Sequence, residues 1–363
     1  MRRTLVLGPA YLDRVVRVDG PLIDPGLGGP LDGSIEGTLT PGPGLRLVDP
    51  LDGSITIDLP GSWLGPTGTV RLARPLVKGA ESWNRKIVAS SCHDDLGGMG
   101  AGFAAALGGE LVSVLGPETD PVSLAVSSRL ADAGVVHRPI RVKDRPTDWT
   151  LLVTSGGFGD KLAVGFRGCH DGLARLGPIA ATACDLRIVS SLPNRLAAEA
   201  LRAPGALVRI FAPAMRNVSD RILKISEFVD FVDMMFLNRR EWEAIDDPGP
   251  ILATVSVLAI TDGPRGSLVR TKAKDESRDE FQVNAFPRTR LPKDTNRAGE
   301  AYASTLLTTL LDHGWTPGPV AGPLIRLAAE RASAAAALVL DRLDFGFPNA
   351  EEIDDALRLG RIE

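Results

Sequence analysis

Apolar positions along this chain follow two rhythms. Between Asp185 and Ile260, short continuous apolar runs alternate with amphipathic stretches. Leu186–Ser190 is followed by Asn194–Arg202, and Ala206–Phe211 by Ser219–Ile225. Asp233–Leu237 is followed by Arg239–Ile245, and Val255–Ile260 by a glycine turn. The short runs read as buried strands and the stretches between them as helices. Such alternation predicts a parallel sheet covered on both faces, with ligands bound at the carboxyl ends of its strands.

Toward the C-terminus the rhythm becomes purely helical. Tyr302, Leu306 and Leu310 recur every fourth residue, as do Ala303, Leu307 and Leu311, before Gly314 and Pro317 stop the pattern. Pro323–Leu340 reads as an alanine-rich helix and Asn349–Leu359 as a terminal amphipathic one.

The N-terminal half mixes both periods. Thr4–Leu7 reads as a buried strand that ends at Gly8, with Asp13 soon after. Lys86–Ser91 is a second strand. Gly97-Gly98 then turns into a short helix of small residues, Ala101–Leu107, which Gly108-Gly109 stops ahead of a buried strand at Leu111–Leu115. Asp120-Pro121 has the form of an N-cap followed by proline in the first turn, opening a helix that runs to Ala133-Gly134. Val135–Arg141 reads as a strand, and Trp149–Ser155 and Lys161–Gly165 flank Gly156–Gly159 as a hairpin. Asp19–Gly79 stands apart, dense in glycine and proline, with LDGS occurring twice. Ser54–Leu59 and Thr69–Ala73 alternate like half-buried strands, which favours several short strands joined by turns over a disordered insertion.

Composition narrows the classes. The 363 residues carry 41 basic and 45 acidic side chains, net −4, and few aromatics. Nothing there suggests nucleic acid or an anionic membrane surface as a partner. The longest apolar run, Ile251–Ile260, is far short of a membrane helix, and the N-terminal run is too short for a signal peptide. Cys92, Cys169 and Cys184 are scattered, without a CxxC or HxxxH pairing, and read as reduced, buried thiols. A cytoplasmic protein is expected.

The stretch richest in chemistry is Lys293–Leu311. A small-residue turn, Ala298-Gly299, runs into a helix near Glu300. Such a turn exposes free backbone N–H groups and the positive end of the helix dipole, which suits phosphate. A carboxylate held there can take a proton from an alcohol as phosphate is transferred to it.

Asp294, Thr295, Asn296, Ala298, Gly299 and Ala301, with Tyr302 standing for phenylalanine, resemble the second signature of the ribokinase-like (PfkB) carbohydrate kinases. Two positions depart from it. Arg297 replaces the first glycine of the anion hole, and Glu300 replaces the catalytic aspartate. Further matches follow in family order. Gly8 and Asp13 fit the strand-end aspartate that binds sugar hydroxyls. Gly97, Gly98, Gly100 and Ala104 fit the first signature, with Gly102 where its sugar-binding asparagine is expected. Pro146-Thr147 precedes the second lid segment. Asn238 and Glu241 fit an Asn-x-x-Glu motif that acts near magnesium and phosphates, and Thr261, Gly263 and Gly266 fit the turn lining the nucleotide site. Ser333–Ala337 fits the helix beside adenine.

The resemblance implies one ribokinase-like domain over residues 1–363, a three-layer α/β sandwich with a central, mostly parallel sheet and a small β lid. The lid segments are expected at about 14–80, an enlarged insertion, and 136–168. The resemblance implies ATP at Thr261, Gly263, Gly266, Ala298, Gly299, Ser333 and Ala336. Magnesium is implied at Asn238, Glu241 and Asp294, with room for potassium near Asp294. A sugar or related alcohol is implied near Asp13, Gly97, Gly98 and Gly102, with His93 offering a replacement polar group. Glu300 is the candidate base. Arg297 either reaches the γ-phosphate or pairs with Glu300. Because edge strands invite pairing, the lid is expected either to cover a neighbouring subunit, as a homodimer, or to be blunted by its prolines.

Three functions stand. The first is ATP-dependent phosphoryl transfer to a sugar or related alcohol. The second is a catalytically weak or silent ribokinase-like protein that binds a ligand or regulates. The third is a dinucleotide-dependent oxidoreductase, because Gly100-x-Gly102-x-x-Ala105 follows a strand, opens a helix and has Glu118 further on. Each bland alternative has its own form: Asn-x-x-Glu as a helix cap, the Thr261–Gly266 segment as a tight turn, the alanine stripe as helix packing.

Overall fold

Along the strand Met234–Asn238, Met234 and Phe236 join one apolar cluster while Met235 and Leu237 join another. Ile188, Ile210 and Val257 lie with the first pair; Val189, Phe211 and Leu258 lie with the second. Burial on both faces is what a continuous apolar run means in a parallel sheet. In the computed structural model, which describes residues 2–19, 34–38, 45–49, 53–57, 69–73, 89–156, 161–272, 278–290, 292–342 and 344–362, these strands form the middle of a three-layer α/β sandwich.

Among the described residues the large sheet has nine strands. Their spatial order is Val136–His137, Glu110–Val112, Thr4–Leu7, Cys184–Ser190, Ala206–Ala212, Met234–Asn238, Val257–Thr261, Ser267–Lys272 and Arg278–Val283. Pairing is parallel up to Val257–Thr261, and the last two strands add antiparallel. The helices Met99–Leu107, Ala298–Asp312 and Gly322–Val339 supply residues to the first cluster, and Asn194–Arg202 supplies residues to the second.

One polar side chain interrupts the apolar strands. Arg187 is fully buried in Cys184–Ser190. Its guanidinium donates to the carbonyls of Thr182 at 3.1 Å, Ala200 at 3.0 Å and Pro204 at 2.7 Å, and also to that of Ala203. The last three lie at or just past the C-terminal end of Asn194–Arg202, so the negative end of the helix dipole offsets the charge.

A second sheet of six strands runs Ser34–Thr38, Thr69–Ala73, Lys161–Arg167, Trp149–Gly156, Tyr11–Asp19 and Ala89–Gly97. Its neighbours are antiparallel except that Trp149–Gly156 runs parallel to Tyr11–Asp19. Leu45–Asp49 and Gly53–Ile57 form a separate hairpin. Strands at 53–57 and 69–73 are therefore present where alternation placed them. Residues 58–59 of the first expected strand, 86–88 of Lys86–Ser91, the turn at 157–159 and most of Asp19–Gly79, including much of both LDGS motifs, lie outside the described residues.

Several expected elements differ. Val135–Arg141 is two strands. Val136–His137 forms the edge of the large sheet, while Ile140–Arg141 pairs with Val114–Leu115. Pro139 stands between them and cannot donate to a ladder. Val136–His137 thus belongs to the large sheet, although the second lid segment was expected from residue 136. The helix expected near Ser219–Ile225 is replaced by a short turn of helix at Met215–Val218 and a 3-10 turn at Ile225–Glu227. The Asp220 carboxylate accepts from the amides of Ile222 at 2.9 Å and Leu223 at 3.2 Å, an Asx arrangement that competes with helix. Cys92 is exposed, whereas Cys169 and Cys184 are buried as expected. Among the described residues no helix is long and apolar enough to cross a membrane.

Candidate active site

Asn238 and Thr261 are register partners at the carboxyl ends of adjacent parallel strands. Beyond Thr261 the chain turns through Gly263 and Gly266, both at positive φ. A Cβ on Gly266 would lie 2.0 Å from the Val283 carbonyl oxygen, so the turn accepts only glycine there. Asp262 pins this turn, accepting from Arg265 at 2.7 and 2.9 Å and from Arg239 at 3.4 Å. Its carboxyl is held below the usual range by those bonds, Arg265 first.

This turn forms one wall of a groove of ≈ 670 Å³. The opposite wall is Ser333, Ala336 and Ala337 of the Gly322–Val339 helix, whose short side chains keep the groove open. Ala298, Gly299 and Tyr302, at the start of Ala298–Asp312, close its end. All the positions expected to meet a nucleotide, Thr261, Gly263, Gly266, Ala298, Gly299, Ser333 and Ala336, therefore line a single groove. Tyr302 is anchored by a 2.7 Å hydrogen bond between its hydroxyl and that of Ser267, and the Ser333 hydroxyl donates to the Asn284 carbonyl at 2.9 Å.

Arg297 caps the Ala298–Asp312 helix with φ 67°, ψ −4°, a left-handed conformation ordinarily left to glycine. Its side chain is buried and turned away from the groove. The guanidinium donates to Asp294 at 3.3 Å and to the Asp344 carbonyl, and lies over the Phe345 ring at 5.5 Å. The expectations for Arg297 are a reach to phosphate or an ion pair with Glu300; the carboxylate it meets here is that of Asp294. Asp294 also accepts from the amide of Asn296 at 2.9 Å within its own turn.

Glu300 stands in the first turn of the helix, over Gly102. A Cβ on Gly102 would lie 2.9 Å from Glu300 Cγ. Asn238 and Glu241 form a reciprocal cap. The Asn238 side chain accepts from the Glu241 amide at 2.9 Å, and the Glu241 carboxylate accepts from the Asn238 amide at 2.9 Å. Burial pushes the Glu241 carboxyl up to about 7, and the negative charge of Glu300 adds to the shift. The two carboxylates thus feel each other's charge.

The other expected acceptor residues gather beside Glu300. Gly97 packs under Asp13, where a Cβ would lie 2.4 Å from a carboxylate oxygen. Gly98 has φ 101° and approaches the Pro9 carbonyl too closely for any side chain, and it leads directly into Met99–Leu107. His93 lies two residues beyond Asp95 on the same strand and face, opposite Val15 as Asp95 is opposite Asp13, and is exposed. It shares the face of Asp13 but sits further out. The rival dinucleotide fingerprint is not built. The strand before its helix belongs to the second sheet, and Gly100 and Gly102 pack against Gly8 and Glu300.

Two groups of neighbours went unforeseen. Tyr11 carries the Arg167 guanidinium over its ring at 5.2 Å. Burial raises its phenol well above the ordinary range, and the charges of Asp13, Glu300 and Asp148 add to that while Arg167 opposes it. Phe286, Arg288 and Arg290 also line the groove. The run FPRTRLP just before Asp294, with two arginines between prolines, was the available signal.

The sequence profile described as pfkB family carbohydrate kinase matches residues 84–352. No curated protein matches the sequence. Among solved structures, the fold is similar to a nucleoside kinase of Methanocaldococcus jannaschii, an archaeal member of the ribokinase family (TM-score 0.67, 14% identity, 99% of each chain covered). It is also similar to a Burkholderia thailandensis nucleoside kinase in complex with inosine (TM-score 0.64, 16% identity, 98% of this chain and 97% of that one). A third is an Arabidopsis thaliana ribokinase complexed with ribose and ATP (TM-score 0.61, 14% identity, 98% and 99%).

Proposed function

The chain belongs to the pfkB family of carbohydrate kinases, and from that premise we propose that it transfers the γ-phosphoryl group of ATP to a hydroxyl of a sugar or related small alcohol, with Glu300 as general base. One observation carries the reading. A groove walled by Thr261–Gly266 and Ser333–Ala337 ends at the N-terminus of the helix that bears Glu300. The nucleoside of ATP fits the groove, and its phosphates point toward Ala298 and Gly299, where unsatisfied amides and the helix dipole favour anions.

Glu300 takes the proton from the acceptor hydroxyl as the phosphoryl group moves. Glutamate reaches one methylene further than aspartate, and the absent side chain at Gly102 leaves room for that length. Asp13, beside Gly97 and on the strand of Tyr11, holds acceptor hydroxyls, and the six-stranded sheet covers them as a lid. Asn238 and Glu241 would hold magnesium, which neutralises phosphate charge; the raised Glu241 carboxyl fits a place that needs a cation. A monovalent cation beside Asp294 would compete with Arg297, which already meets that carboxylate.

The left-handed Arg297 supports turnover rather than a silent relic. It keeps the backbone shape that a glycine would give, and its side chain leaves the phosphate approach open. The test is a phosphoryl-transfer assay over sugars and nucleosides with the wild type, Glu300→Gln, and Arg297→Gly combined with Glu300→Asp. Turnover by the wild type that Glu300→Gln abolishes establishes Glu300 as the base. Activity in the double variant alone makes the natural protein a silent ligand binder and overturns the proposal.

A further inference from the structure

Folding brings Asp148 beside two adjacent ligand-type side chains, Cys169 and His170, from which the sequence separates it. Asp148 precedes the strand Trp149–Gly156, and Cys169 and His170 follow the strand Lys161–Arg167. All three are buried, at 1%, 0% and 1% exposure. Among the described residues they form a group whose ligand atoms all lie within 4.8 Å of one another. His170 Nδ1 is 3.0 Å from Asp148 Oδ2, Cys169 Sγ is 3.4 Å from Asp148 Oδ1, and Sγ is 3.9 Å from Nδ1. The Val114 carbonyl oxygen lies 3.3 Å from Sγ and adds a fourth donor.

These separations are those of atoms able to share one ion at roughly 2.0–2.3 Å each. A thiolate, an imidazole and a carboxylate are a borderline-soft donor set, suited to zinc or cobalt and not to magnesium. Charge also balances, since a thiolate and a carboxylate offset a divalent cation. On the side of Cys169 the neighbours are apolar, with Val142 and Leu173 in the same buried cluster. Asp148 also accepts from the Gly168 amide at 2.9 Å, and burial followed by the Asp148 charge raises the Cys169 thiol.

We propose that Asp148, Cys169 and His170 bind one divalent transition-metal ion of the zinc class. The inference stands apart from the kinase reading, because none of the three lines the nucleotide groove. Binding sends the Cys169 thiol proton to solvent and moves the imidazole proton from Nδ1 to Nε2. Nε2 is buried and has no hydrogen-bond partner among the described residues, so the relocated proton carries a cost that the metal–ligand bonds must offset. The ion clamps both ends of the Trp149–Gly156/Lys161–Arg167 hairpin to the strand Val114–Leu115. Asp148 also lies 3.9 Å from Arg167, which sits over Tyr11, so the clamp steadies the edge of the acceptor region.

The test uses the full chain, stripped with a chelator and refilled with cobalt(II). Metal content is read by plasma mass spectrometry and thiolate ligation by the thiolate-to-cobalt charge-transfer absorption. The expected result is about one equivalent of cobalt and a charge-transfer band that survives Cys92→Ser and Cys184→Ser but is lost in Cys169→Ser. Zinc, unlike magnesium, should raise the thermal midpoint of the stripped wild type. If Cys169→Ser does not fold, Asp148→Asn serves in its place, with a tenfold or greater loss of cobalt affinity expected. A wild type with no band, or a band that disappears in Cys92→Ser, overturns the proposal and leaves the group as a hydrogen-bonded cluster.

Discussion

Gly102 lies beneath Glu300, and the two positions depart from the family pattern together. A Cβ on Gly102 would stand 2.9 Å from Glu300 Cγ and 3.3 Å from its Cβ and Cδ. A longer acid therefore occupies space that the missing side chain vacates. Gly102→Ala should leave the fold intact, because a glutamate side chain can swing, but it should displace the carboxylate. Misplacing a catalytic group by about 1 Å costs up to roughly 10²-fold in rate. We expect Gly102→Ala to lower kcat by tenfold or more and Glu300→Asp in the same chain to recover part of the loss. Steady-state kinetics of the two single variants and the double one measure the coupling, and additive losses would refute it.

Arg297 makes a different kind of compensation. Its left-handed backbone costs on the order of 1 kcal/mol for a residue with a side chain. The bonds to Asp294 and Asp344 and the stacking on Phe345 offset that cost. Arg297→Gly should therefore relax the turn yet lower the thermal midpoint by a few degrees, with kcat changed less than threefold. A large loss of kcat at unchanged KM for ATP would mean the guanidinium acts on the phosphate after all.

The sequence made the large sheet and the groove between Thr261–Gly266 and Ser333–Ala337 legible because both are written in local pattern. Continuous apolar runs such as Met234–Leu237 mark a doubly covered sheet, and the glycine and alanine positions that line the groove mark close approach. What was hidden depended on contacts between distant segments. The course of the Arg297 side chain is set by Asp344 and Phe345, far along the chain, and no spacing rule announces it. The Gly102 contact with Glu300 crosses two helices. Val135–Arg141 went wrong for a local reason that was readable, Pro139, and the Ser219 segment because Asp220 offered the backbone an alternative to helix.

Arg187 gives a stability prediction. Its fork holds four backbone carbonyls, three at the end of Asn194–Arg202 and that of Thr182, with no carboxylate partner among them. Arg187→Leu matches the apolar strand but strips those carbonyls of their donor, and each unsatisfied buried group costs about 1–3 kcal/mol. We expect a loss on the order of 4 kcal/mol in chemical denaturation, with Arg187→Lys intermediate because it has fewer, less rigidly placed donors. Equal stability of wild type and Arg187→Leu would show that the carbonyls find other donors.

On the proposed function, Glu241 links pH to cation binding. Its carboxyl is raised to about 7 by burial, with the Glu300 charge adding to it. The sign follows from proton counting. Between the ordinary glutamate value of about 4.5 and about 7, the folded chain keeps a proton that the unfolded chain has lost, so this group's contribution to stability falls as pH rises through that window. A cation beside Glu241 favours the carboxylate and draws the value back down. Magnesium should therefore bind more tightly as pH rises from 6 to 8, with release of a proton, and should stabilise the fold more at pH 8 than at pH 6. Calorimetry in buffers of different ionisation enthalpy counts the proton, and thermal melts at the two pH values check the stability difference. Glu241→Gln, which keeps an acceptor for the Asn238 amide, should abolish both the proton release and the pH dependence. If magnesium affinity is flat across this range in the wild type, Glu241 is only the helix cap that its hydrogen bonds describe.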